Sequence, residues 1–132
     1  MLKTSNLLNP RLVGAISAMG HTDKMVISDA GLPMPPGVAV LDLSLVPGVP
    51  TFMQTVQAVM QHLKVDSAVI AEEMATRNEA VMKELMAEIR GLPVARVPHE
   101  QFKALCRDAK LVVRTGECTP YANIILGAGV TF

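Results

Sequence analysis

Apolar residues fall along this chain in two rhythms. Leu12, Val13, Ile16 and Met19 recur at helical spacing, and Asn9-Pro10 ahead of them reads as an N-cap followed by proline at the first helical position. Gly20 stops that helix. Thr51 with Gln54 three residues on has the form of a capping box, and Phe52, Val56, Val59, Met60 and Leu63 mark the helical face behind it. A third helix follows Glu72 and Glu73, carries Val81, Leu85 and Ile89 on one face and runs to Gly91. A fourth opens at Pro98-His99-Glu100 and carries Phe102 and Leu105.

The second rhythm is a set of short, unbroken apolar runs. Met25 to Ile27, Val38 to Leu43, Ala68 to Ala71, Val94 to Val97, Leu111 to Val113 and Asn123 to Leu126 all read as buried strands. Such strands alternating with helices predict an α/β fold, a three-layer α/β/α arrangement with a central, largely parallel sheet. At 132 residues the chain suits a single domain over 1–132. One loop stands out. Ala30 to Gly37, dense in glycine and proline, follows a strand end at Asp29, where open α/β sheets tend to place ligands.

Composition narrows the function. Twelve Lys and Arg balance twelve Asp and Glu, aromatics make up 3% and Trp is absent, so neither the charge nor the stacking platform of a nucleic-acid binder is present. Apolar residues reach 50% and mean hydropathy is +0.35. A membrane span does not explain this, because the longest apolar run, Ile124 to Val130, is far too short and holds two glycines. Met1 to Pro10 has no signal-peptide core, so the expected compartment is the reducing cytoplasm, with Cys106 and Cys118 as free thiols. The apolar surplus then points to burial between subunits of a homo-oligomer.

The candidate chemistry is acid–base chemistry or binding. No phosphate loop, nucleophile elbow or zinc spacing is present, so no cofactor and no metal are expected. His62 reads as a surface histidine. His21 lies at the break between a helix and a buried strand, where it either caps carbonyls or does chemistry. His99 begins a helix, a place that disfavours the charged imidazole and suits proton acceptance. Asp29 either caps loop amides or binds a ligand, Tyr121 sits where a loop meets the last strand, and Asn123 needs a partner for its amide. Glu72 and Glu73 read as acidic residues at a helix start.

These residues also carry a resemblance. Gly20-His21-Thr22-Asp23 and Ser28-Asp29-Ala30-Gly31-Leu32-Pro33 look like the N-terminal signature of the D-ribose pyranase family. Gly48-Val49-Pro50-Thr51-Phe52-Met53-Gln54, Ala71-Glu72-Glu73 and His99-Glu100-Gln101-Phe102-Lys103 resemble further blocks. The run from Arg114 to Leu126, continued by Ala128 to Phe132, is similar to the family's tail, so the likeness spans the chain. Fucose mutarotase, a relative of the same fold, differs in the loop after the strand-end aspartate. The resemblance implies a cofactor-free isomerase that interconverts the pyranose and furanose forms of D-ribose. It implies a homodecamer of two stacked pentamers with sites at subunit contacts. It implies His21 as the catalytic acid and Asp29, His99, Lys103, Tyr121 and Asn123 as sugar-binding residues. A fucose-type mutarotase and a non-catalytic sugar-binding module are the competing readings.

Overall fold

The computed structural model describes residues 1–132, folded around one six-stranded sheet. In chain order the elements are α1 (Pro10–Ser17), β1 (Lys24–Ser28), β2 (Ala39–Asp42), α2 (Phe52–Met60), β3 (Val65–Ala71), α3 (Met74–Arg77), α4 (Glu79–Glu88), β4 (Val94–Val97), α5 (His99–Leu105), a 3-10 turn (Cys106–Asp108), β5 (Leu111–Arg114) and β6 (Ile124–Ala128). The strands lie in the order β2-β5-β1-β6-β3-β4. The first five strands of the chain run one way, and β6, set between β1 and β3, runs against both neighbours. The sheet is therefore largely parallel, as the apolar runs predict, with one reversed strand near its middle.

Period-two alternation sorts the strand residues onto two faces. Met25, Ile27, Leu111, Val113, Ile124 and Leu126 share a core with Leu12 of α1, Phe52, Val56 and Val59 of α2, Met74 of α3 and Leu85 of α4. Val26, Val112 and Ile125 face the other way and pack with Phe102 of α5, Cys106 and Leu32. Cover on both faces is why the strands read as unbroken apolar runs. Fully buried side chains such as Phe52 and Phe102 each contribute about 1.5–3 kcal/mol. The second outer layer is thin, formed by α5 and the Leu32 loop.

The helix starts follow the sequence signals. Asn9 Oδ1 accepts the Leu12 N–H at 3.0 Å, with Pro10 as the first helical residue. Thr51 Oγ1 accepts from the Gln54 N–H at 3.0 Å while Gln54 Oε1 accepts from the Thr51 N–H at 2.9 Å, a complete capping box.

Two elements depart from the pattern. The helix expected from Glu72-Glu73 to Gly91 is interrupted at Asn78, whose backbone (φ −153°, ψ 60°) separates α3 from α4. The cause is local. Asn78 Nδ2 donates to Thr119 Oγ1 at 2.9 Å and to the Pro120 carbonyl at 2.8 Å, so this side chain serves a distant loop. Strand β3 also starts at Val65 instead of Ala68, because polar Asp66 and Ser67 interrupt the apolar run, and its register is irregular between Val65 and Ser67. No helix is long and apolar enough to cross a membrane. Cys106 is buried, Cys118 is exposed, and both are free.

Candidate sugar-binding site

The reversal of β6 assembles the site. Because β6 opposes its neighbours, its first residues lie at the carboxyl ends of β1, β3 and β4. Asp29 follows β1, Glu72 and Glu73 follow β3, His99 follows β4, and Tyr121 and Asn123 precede β6. Residues spread over most of the chain thus meet at the sheet edge that α/β folds use for ligands.

Asp29 caps the loop amides, the first of the two roles the sequence left open. Its Oδ1 accepts the Gly31 N–H at 2.9 Å and the Leu32 N–H at 2.8 Å, fixing the start of the glycine and proline loop. Its Oδ2 accepts from Asn123 Nδ2 at 3.1 Å, and its own N–H donates to Asn123 Oδ1 at 2.9 Å. Asn123 is fully buried, so Asp29 is the partner its amide requires. Burial raises the Asp29 carboxyl above its ordinary value, against the opposing pull of the Gly31, Asn123 and Leu32 hydrogen bonds and of His99. The loop is braced from β5. Thr115 Oγ1 donates to the Ser28 carbonyl at 2.7 Å, and the Arg114 guanidinium donates to the Ala30 carbonyl at 2.8 and 3.1 Å.

His99 is the first residue of α5, and its N–H lies 3.0 Å from both carboxylate oxygens of Glu73. The Glu73 side chain therefore serves the start of α5, whereas the sequence suggests the start of its own helix. The His99 ring meets Tyr121 edge-on at 5.0 Å and stacks on Phe102 at 6.3 Å. Tyr121 adopts a left-handed backbone conformation (φ 59°), uncommon for a bulky residue and typical of functional sites. His99 Nδ1 is buried and has no hydrogen-bond partner. Buried polar atoms are almost always paired, so this unpartnered nitrogen is an exception in the fold.

A cleft of about 290 Å³ opens here, lined by Asp29, Leu32, Arg77, His99 and Tyr121 among others. A second hollow of about 440 Å³, bordered by Gly31, Glu117, Cys118 and Thr119, adjoins it at Asp29. A carboxylate, a guanidinium, an imidazole and a phenol around one cleft, with the Asn123 carboxamide buried behind the carboxylate, suit a small polyhydroxylated molecule. No group of three or more His, Cys, Asp or Glu side chains has the arrangement of a metal site.

His21 lies elsewhere. It precedes β1 whereas Asp29 follows it, and that strand alone spans about 13 Å. Its turn is firmly held. The Gly20 N–H donates to Asp23 Oδ2 at 2.8 Å, Lys110 Nζ donates to the same oxygen at 3.1 Å, and the Thr22 N–H donates to the Ala128 carbonyl at 2.9 Å. The turn's Gly20 and Lys110 contacts hold the Asp23 carboxyl below its ordinary value. The His21 ring stands outward, 57% exposed, with Nε2 3.6 Å from Asp66 Oδ2. Lys103 is one turn beyond His99 on α5, but its ammonium pairs with Glu100 at 2.8 Å and borders a separate groove beside Pro33 to Pro36. His62 is half-buried and bonds the Ala58 carbonyl and Ser5, so it has a structural role where the sequence suggests a solvated surface histidine.

Asp29, His99, Tyr121 and Asn123 are thus brought together, and His21 and Lys103 are not. Sequence reasoning missed Arg77 at the cleft, the roles of Glu73 and Asn78, and Asp66 beside His21. Only Asn78, a helix-disfavouring residue inside a helical pattern, carried a signal.

Fold and site define an α/β protein with a polar cleft at a strand-end edge, and comparison with known proteins narrows the class. Residues 2–131 match the RbsD / FucU transport protein family, and the chain belongs to it. D-ribose pyranase of Symbiobacterium thermophilum is 49% identical over 99% of this chain and 100% of its own. That of Geobacillus kaustophilus is 48% identical over 99% and 96%. Among solved structures, Bacillus subtilis RbsD complexed with D-ribose superposes with a TM-score of 0.96, at 45% identity and full coverage of both chains. The fucose mutarotase of Streptococcus pneumoniae, in complex with L-fucose, shares the fold with a TM-score of 0.83 at 23% identity, covering 99% of this chain and 100% of its own.

Proposed function

We propose that this chain is a D-ribose pyranase, an isomerase that interconverts the pyranose and furanose forms of D-ribose without a cofactor. The observation that carries the reading is the cleft where Asp29, His99 and Tyr121 converge, with Asn123 buried behind Asp29, in a chain whose full-length relatives bear that name. The half-buried His99 ring lines the cleft and offers its accessible edge to a sugar hydroxyl. The Asp29 carboxylate and the Tyr121 hydroxyl fix further hydroxyls, with Asn123 holding Asp29 in place. Lys103 completes the set once its ammonium leaves Glu100, an exposed partner of little energetic weight.

The reaction needs only proton transfers. Ribopyranose opens when its anomeric hydroxyl loses a proton, the bond from the anomeric carbon to the ring oxygen breaks, and the ring oxygen gains a proton. The freed aldehyde rotates, and a different hydroxyl attacks it, losing its own proton as the carbonyl oxygen gains one. Histidine titrates near neutrality and suits both directions of transfer. In this reading His21 gives the proton to the ring oxygen. Since it lies a strand's length from Asp29 in its own chain, it acts in a neighbouring subunit's cleft. An outward ring on a braced turn suits that task.

The assembly is a homo-oligomer, a decamer of two stacked pentamers in this reading, of a single domain over 1–132, working in the cytoplasm. Leu8, Leu45, Val46 and Val49, all exposed in the isolated chain, supply apolar surface for subunit contacts. A fucose-type mutarotase has less support, because the likeness to that enzyme reaches the fold alone. Nuclear magnetic resonance (NMR) of ring-form exchange across a panel of sugars tests the reading. Acceleration of D-ribose exchange above that of L-fucose is expected. Preference for L-fucose would favour the mutarotase, and ribose binding without acceleration would favour a binding module.

A further inference from the structure

We propose that Glu73 and Asn78, which flank the four-residue helix α3, form a bracket that positions His99 and Tyr121 against each other in the cleft; the inference rests on the sugar-site reading above. Neither side chain caps the helix it adjoins. Glu73 reaches to the start of α5, where both its oxygens lie 3.0 Å from the His99 N–H. That N–H is one of the donors a helix start leaves without a partner, and the carboxylate fixes it in place. Asn78 reaches the other way, to Thr119 Oγ1 and the Pro120 carbonyl, immediately before Tyr121.

The two arms are joined by one turn of backbone, so the places they hold are fixed relative to each other. Those places are 21 residues apart in the chain (120 − 99 = 21), yet the His99 and Tyr121 rings meet edge-on at 5.0 Å. Asn78 is the sole hydrogen-bonding anchor of this stretch, since no other residue outside 115–123 bonds Thr119, Pro120 or Tyr121. Tyr121 meanwhile sits in a left-handed conformation that its surroundings must hold. The break in the helical pattern at Asn78 follows from the same role.

Tyr121 is the only tyrosine and there is no Trp, so the near-ultraviolet circular dichroism of tyrosine reports on the cleft alone. Asn78→Asp keeps the side-chain shape and loses both N–H donors. It is expected to lose most of the tyrosine band and to raise KM for D-ribose roughly tenfold or more, with a smaller change in kcat. Glu73→Ala should raise KM similarly, and Glu73→Gln, which keeps an acceptor oxygen, should recover most of the loss. Lowered thermal stability with band, KM and kcat unchanged in the folded variants would overturn the bracket. If Asn78→Asp fails to fold, Thr119→Val removes one of the two acceptors, and the same band and KM decide. Failure of the wild type to accelerate ribose exchange would count against the sugar-site reading alone, because the tyrosine band reads the bracket without substrate.

Discussion

Asp29 and Asn123 hold each other by two hydrogen bonds, backbone N–H to Oδ1 at 2.9 Å and Nδ2 to carboxylate Oδ2 at 3.1 Å. The pair joins the carboxyl end of β1 to the start of the reversed strand β6. It also leaves the Asp29 carboxylate at the wall of the cleft with both oxygens fixed in direction. Removing one partner leaves the other's polar atoms buried and unmatched.

Asn123→Ala is therefore expected to destabilise the fold by about 1–3 kcal/mol, the cost of stranding buried polar groups. It should also weaken D-ribose binding by more than the lost stability explains, because Asp29 loses its orientation. Denaturant unfolding together with ribose titration calorimetry checks both effects. Unchanged ribose affinity in a folded variant would contradict the pairing's role.

The buried carboxyl of Asp29 gives a pH signature. Its pKa is raised in the folded state, chiefly by burial, above the ordinary 3.8. Over the window between 3.8 and the raised value the folded chain binds more protons than the unfolded one. The contribution of Asp29 to stability is therefore full below that window and is lost as pH rises through it. Relative to Asp29→Asn, which does not titrate there, the wild type should lose stability as pH rises through the window. A melting-temperature series at stepped pH measures the difference, and a difference of opposite slope would contradict burial as the dominant cause. On the proposed reading ribose binds the ionised form, so binding should have its acid limb above pH 3.8.

The two thiols should separate cleanly. Burial pushes the Cys106 thiol up to about 11, while Cys118 is exposed at the hollow beside Asp29. One thiol per chain is expected to react with an alkylating reagent in the native protein, the second only after unfolding. Saturating D-ribose should slow the first reaction. Mass spectrometry of the labelled peptides checks the assignment. Native labelling of Cys106, or no protection by ribose, would contradict it.

Much of this was legible in the chain itself. Asn9-Pro10 and the Thr51/Gln54 box announce helix starts by local chemistry, and the structure realises both. Val26, Val112 and Ile125 read as strand because cover on both faces makes the whole run apolar. The direction of β6 was not legible, since Ile124 to Leu126 would look the same in a parallel strand. The strand's direction decides which residues share an edge. That is why the residue pattern singles out Asp29, His99, Tyr121 and Asn123 one by one, and only the family resemblance groups them. The separation of His21 from them follows from the same geometry. Asn78 was overlooked because a helical pattern of Val81, Leu85 and Ile89 runs past it, and its partners lie more than forty residues on, |i−j| being 41 and 42.

In the proposed mechanism, ribose ring forms interconvert in a cleft holding Asp29 from one chain and His21 from another. Exchange measured by NMR on mixed variants tests it most directly. His21→Ala alone should lose roughly 10²–10⁴-fold of the acceleration while still binding ribose, the usual worth of one general acid. Asp29→Ala alone should bind ribose poorly and be similarly inactive. When the two are unfolded together and reassembled in equal amounts, roughly one cleft in four receives an intact His21 and an intact Asp29 from different chains. Recovery of about that fraction of wild-type exchange is the predicted result. A mixture as inactive as its parts, or near-normal exchange by folded His21→Ala on its own, would contradict the account.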